Sequence, residues 1–120
     1  MKRVIVSKVA GTTYENRQSI IAQLTGLEPC RLRPEPDNKY DPHAIAVDIA
    51  TADGVKQVGY LPRDLAAQVA EHLDGETIMA NMRGKTGGFE MSGGELANYG
   101  LMIEVEIPDT NTPNEDDYIL

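Results

Sequence analysis

The sequence predicts a mainly β protein with two short helices, an α+β chain built on a small antiparallel OB-like barrel. Three observations carry this expectation: short alternating apolar runs recur along the chain, turn residues separate them at close spacing, and only two segments have helical apolar spacing. With 120 residues, 41% hydrophobic and 25% charged, the chain fits one compact domain that buries roughly two-thirds of its unfolded surface. Residues 1–108 are expected to form that domain and residues 109–120 an acidic, flexible C-terminal tail. No stretch reaches the roughly 18 to 20 apolar residues of a membrane span, so no membrane contact and a cytoplasmic location are expected. A lone cysteine, Cys30, forbids an internal disulfide.

Each element has its own signal. KRVIVSKV at 2–9 places Val4, Val6 and Val9 near one side of a first strand. In the following segment Thr13 is a cap candidate, Ile20, Ile21 and Leu24 share a helical stripe, and Gly26 suits a left-handed stop. A second strand over 27–34 is halted by Pro34 and Pro36. Ile45, Val47 and Ile49 alternate with Ala46, Asp48 and Ala50 in the third strand, which turns at Thr51-Ala52-Asp53-Gly54 into VKQVGYL. Pro62 and Asp64 open a second helix, Leu65, Val69 and Leu73 form its stripe, and Gly75 ends it. The remainder reads as a strand near 76–83, a Gly-rich loop over 84–94 and a last strand with Leu101, Ile103, Val105 and Ile107 on one face.

Charge gives a mixed message about partners. The net charge is −8, which ordinarily argues against nucleic acid. Residues 1–63, however, hold nine basic and seven acidic side chains, whereas residues 64–120 hold two and twelve. Screening beyond about 8 Å at physiological salt lets a local basic groove coexist with a distant acidic face.

Most catalytic signatures are absent. Gly84-Lys85-Thr86 resembles the end of a phosphate loop, but Met79 stands where the pattern needs glycine, and a flexible hairpin loop is the plainer expectation. His43, His72 and Cys30 lack chelating spacing, so no metal or other cofactor is expected. Asp37, Asp41 and Asp48 are oxygen donors that could hold a hard cation; the alternative is that the first two organise a loop and Asp48 faces water. No serine or histidine lies in a recognisable triad setting, and the chain reads as a non-enzyme. Tyrosine placement is more informative. Tyr14 near Arg17, Tyr40 between Lys39 and Asp41, and Tyr60 close to Arg63 put rings beside cations at loop edges. Stacked bases and neutralised phosphates need that combination, although half-buried tyrosines tying loops through their hydroxyls would show the same spacing.

VAGTTY, EPDNKYDPHAIAV and QVGYLPRDLA, within a match that covers about residues 9–75, resemble the HIRAN domain, a module attached to DNA-remodelling helicases and also found as free-standing bacterial or phage proteins. The resemblance implies a modified OB-like barrel that recognises the free 3′ end of single-stranded DNA. It assigns Tyr14 and Tyr40 to the terminal base and Asp41 to the 3′-hydroxyl, with Asn38 in the same loop and Arg63 facing the backbone. Lys39 joins Arg63 as a phosphate contact, and Phe89 in the Gly-rich loop is a candidate cover. Two departures stand out: Thr13 replaces an arginine of the helicase-attached form, and Tyr60 replaces a histidine. One phosphate contact is thereby lost and one stacking surface gained, so weak binding with a shallow salt slope is expected. The expected function is a non-catalytic module for single-stranded DNA ends in repair or processing, partnered by a helicase or nuclease on another chain. Two alternatives are an acidic protein-interaction or DNA-mimic module, suggested by the charge of the second half, and a metal-dependent nuclease or hydrolase.

Overall fold

A computed structural model describes residues 2–73 and 77–108. In chain order the elements are β1 (Lys2–Lys8), α1 (Arg17–Ala22), β2 (Cys30–Pro34), β3 (Ile45–Thr51), β4 (Gly54–Tyr60), α2 (Arg63–Leu73), β5 (Ile78–Thr86) and β6 (Gly100–Pro108). The strands form one six-stranded sheet in the order β1-β6-β5-β2-β3-β4, and every neighbouring pair is antiparallel. This is the mainly β, two-helix architecture that the alternation predicts. The sheet is not closed by a ladder, as is consistent with an OB-like fold. Its two edges nevertheless meet at one bridge, where the Ala10 amide donates to the Tyr60 carbonyl (2.7 Å) and the Tyr60 amide to the Ala10 carbonyl (2.9 Å).

Gly59 makes that seam possible. A side-chain carbon at this position would collide with the Ala10 carbonyl oxygen and lie 2.6 Å from Val9 Cγ1. The glycine of the V-G-Y run therefore serves close backbone approach. Inside the curled sheet, Ile45, Val47 and Ile49 of β3 pack with Leu101, Ile103, Val105 and Ile107 of β6. Helix α2 adds Leu65, Val69 and Leu73, the stripe its spacing predicts.

Several expectations need correction. Val4 and Val6 lie on the outer face of β1, half exposed, while Ile5 packs against the core. Asn16, not Thr13, occupies the N-cap of α1, and Arg17 and Gln18 hold the preceding loop instead. Gly26 has the left-handed φ of 97° but lies beyond the end of α1, whose C-cap is Gln23. Gly84, Lys85 and Thr86 belong to β5, because a bulge at Arg83, between Met82 and Gly84, shifts the register and pairing with β6 continues through Gly84 to Thr86. Asp48 does not face water: it is buried, because Arg31 and Arg33 of β2 fold over it. The stop at Gly75, the first residue of the strand expected from 76, and the tail at 109–120 lie outside the described residues. Among those described, no helix is long and apolar enough to cross a membrane.

Candidate nucleic-acid interface

The seam between β1 and β4 opens into a cleft of about 470 Å³ lined by Gly11, Tyr14, Glu15, Arg17, Asn38, Tyr40, Asp41, Ala44, Tyr60, Leu61 and Arg63. Two loops, the end of β4 with the Leu61 that follows it, and the first residue of each helix supply these residues. The first loop links β1 to α1 and carries Tyr14 in a tight turn with left-handed backbone at Gly11 (φ 72°) and Glu15 (φ 55°). Its shape is held from α1: Arg17 Nη1 donates to the Gly11 carbonyl (2.8 Å), and Gln18 Nε2 donates to those of Thr12 (2.9 Å) and Tyr99 (2.8 Å). A conformation that a non-glycine residue rarely adopts is kept by these external bonds. Tyr14 is left 67% exposed.

The second loop, EPDNKYDPHA, is closed on itself. The Glu35 amide donates to the Ala44 carbonyl (2.9 Å), the Asn38 amide to the Glu35 carbonyl (3.0 Å), and the Ala44 amide to the Asp41 carbonyl (3.1 Å). Asn38 Oδ1 accepts from the amides of both Tyr40 (2.9 Å) and Asp41 (3.1 Å), which fixes their direction. Asp41 Oδ1 accepts from the His43 amide (2.9 Å), whereas Oδ2 has Arg63 Nε at 3.8 Å, an ion-pair distance too long for a hydrogen bond. One carboxylate oxygen thus anchors the loop and the other has acceptor capacity left. Tyr40 is 87% exposed, so two rings stand uncovered at one cleft.

Tyr60 plays a different part. Its hydroxyl donates to Glu35 Oε1 (2.8 Å), and the Arg17 guanidinium carbon lies 5.6 Å from its ring centroid. This is the hydroxyl-tethered arrangement that loop-edge spacing left open for all three tyrosines. Glu35 also accepts from Asn38 Nδ2 (3.1 Å) and Arg33 Nη1 (2.9 Å), so one carboxylate joins the β4 wall to the Tyr40–Asp41 loop. Burial pushes the Glu35 carboxyl up, but its hydrogen bonds from Asn38, Tyr60 and Arg33 outweigh that and hold it below its ordinary value.

Six of the eight residues proposed from sequence therefore line this one cleft: Tyr14, Asn38, Tyr40, Asp41, Tyr60 and Arg63. Lys39 is exposed in the same loop but does not line it, and Phe89 sits 62% exposed in the hairpin between β5 and β6. Sequence reasoning left out Arg17 and Glu35. The first was visible as a cation three residues from Tyr14; the second carried no signal beyond membership of the loop. Lys85, which tempted a phosphate-loop interpretation, donates through Nζ to the carbonyls of Ala22 (3.2 Å) and Leu24 (2.8 Å) and so caps the end of α1. Cys30 is buried with its thiol on the Ala80 carbonyl (3.1 Å), and burial pushes its pKa up to about 11, so it is an unreactive core group. No cluster of three metal-ligating side chains occurs among the described residues.

An open, curled antiparallel sheet with a cleft at the seam of its edges is the build of a small OB-like binding domain. The chain belongs to the HIRAN domain family, whose model matches residues 2–88 and so spans every lining residue of the cleft. That family is known for DNA-binding modules. No curated protein and no solved structure matches the chain.

Proposed function

We propose that this protein is a non-catalytic module that binds the 3′-hydroxyl end of single-stranded DNA during repair or processing. Any strand-separating or cleaving activity then comes from a helicase or nuclease on another chain. The observation that carries this reading is the convergence of two exposed rings, Tyr14 and Tyr40, with the half-free carboxylate of Asp41 on one cleft. Each base stacked on an aromatic ring is worth about 1–3 kcal/mol, and stacking needs faces that are not already covered. Tyr14 and Tyr40 offer such faces; Tyr60, tethered and covered on one side by Arg17, forms a wall. An ionised carboxylate accepts a hydrogen bond from a terminal hydroxyl and repels a terminal phosphate. Arg63, with its side chain 79% exposed, and the exposed Lys39 of the neighbouring loop supply cations for backbone phosphates.

Fluorescence anisotropy with three labelled ligands tests the proposal: a single strand ending in 3′-hydroxyl, the same strand ending in 3′-phosphate, and a blunt duplex. The hydroxyl end is expected to bind about tenfold or more tighter than the phosphate end, a margin typical of a hydrogen bond to a charged group. Equal signals from all three, or none at micromolar protein, would remove end recognition.

A further inference from the structure

Arg17 is 7% exposed, lines the cleft, and forms no ion pair with any carboxylate among the described residues. Its Nη1 donates to a neutral carbonyl, that of Gly11, and its Nε is buried without any hydrogen-bond partner. Glu15 and Asp41 line the same cleft but neither approaches it as an ion-pair partner. The contrast with Arg33 is plain, since that guanidinium is bonded to both Asp48 and Glu35. Burying a cation without counter-charge is costly, and groups of this kind gain most from an anion delivered by a ligand.

We propose that Arg17 binds the last phosphodiester of the strand, the one on the 5′ side of the terminal nucleotide. This rests on the single-strand reading above and extends it: the cleft recognises a phosphate as well as a sugar hydroxyl. A base carbonyl would supply an acceptor but no charge, whereas a phosphodiester supplies both. The guanidinium lies over the Tyr60 ring and Arg17 is buried, so its charge is screened less than that of the exposed Arg63. The cleft volume suits one small ligand, so the terminal nucleotide with its own 5′ phosphate is a fitting occupant. Arg17 thereby becomes the main phosphate contact, and the cations predicted from sequence, Lys39 and Arg63, become auxiliary.

The test uses anisotropy of the full chain with a ten-nucleotide thymidylate strand carrying one neutral methylphosphonate, either at the last linkage or five linkages inward. In the wild type, neutralising the last linkage is expected to weaken binding about tenfold or more, the size of a hydrogen bond to a charged group, and the inner one by less than about threefold. Arg17→Gln is expected to lose a similar factor on the unmodified strand and to become indifferent to the terminal methylphosphonate. A merely structural Arg17 would weaken all strands alike and leave the sensitivity to position intact, which overturns the assignment. Equal penalties at the two linkages in the wild type overturn it too, and that comparison stands even if the variant does not fold. Failure of the unmodified strand to bind would instead defeat the single-strand reading itself.

Discussion

Two buried charges sit on opposite terms in this small fold. Asp48, on the outer face of β3, is 3% exposed and saturated: Arg33 Nε (2.9 Å) and Arg31 Nε (3.2 Å) both donate to its Oδ2, and Arg33 Nη2 to its Oδ1 (3.3 Å). Arg17, at the cleft, is nearly as buried but has no acid among the described residues and one orphaned nitrogen. A charge that finds all its partners within the chain holds the chain together. One that lacks them beside a cleft is available to something from outside. The network around Asp48 also reaches the cleft, since Arg33 bonds Glu35 and Glu35 bonds Asn38 and Tyr60. Structure and site are therefore joined by one carboxylate, and substitutions can separate them.

The largest effect is expected at the uncovered rings. Replacing both Tyr14 and Tyr40 with alanine should weaken single-strand binding about 100-fold, given about 1–3 kcal/mol for each stacked base. Because both rings are exposed, the melting temperature should stay within a degree or two, as is usual for surface changes. A large loss of stability would mean the rings hold the fold rather than a ligand. Asp48→Ala should do the reverse. Leaving two arginines without their acid should cost about 1–3 kcal/mol in urea unfolding, at the lower end for a buried pair because both guanidinia are partly solvated. Binding measured on the folded fraction should be unchanged.

Acid should expose the same difference. Burial pushes the Asp48 carboxyl up, but the hydrogen bonds and charge of Arg33, then those of Arg31, outweigh it and hold the group below its ordinary value. A depressed carboxylate contributes stability above its unfolded pKa and loses it as pH falls through the folded one. Stability should thus be level above about pH 5, decline progressively in more acidic solution, and decline less steeply in Asp48→Asn. A smaller effect is expected at Glu35, which does not line the cleft. Glu35→Gln should weaken binding several-fold while Tyr14 and Tyr40 remain intact, and an unchanged affinity would show that the loop positions itself. Smallest of all, Lys85→Ala should cost about 0.5–1 kcal/mol of stability as a lost helix cap and leave DNA binding as it was.

Much of this site was legible because it is local. Asn38, Tyr40 and Asp41 lie in one loop whose turn chemistry is written in consecutive residues, and the Asp53-Gly54 hairpin and the α2 stripe declare themselves in the same way. Burial on the second face of a strand is not local. Alternation places Asp48 opposite Val47 and Ile49, but only the pairing with β2 brings Arg31 and Arg33 across it. Val4 and Val6 mislead for a related reason: an apolar residue is no proof of an inward face, and Ile5 takes that role. The strand through Gly84 was hidden because a bulge lets glycine sit within a ladder that glycine usually interrupts. Arg17 was visible as a neighbour of Tyr14, yet its isolation from the described acids depends on the folded arrangement.

End recognition depends on Asp41 inspecting the sugar of an unpaired terminal nucleotide, and four affinities test this most directly: wild type and Asp41→Asn, each with a 3′-hydroxyl and a 3′-phosphate strand. The preference of the wild type for the hydroxyl end should shrink to about twofold or less in the variant, mainly through improved binding of the phosphate end once the repelling charge is gone. A preference that survives the substitution undiminished would contradict the claim and move end recognition to another part of the molecule.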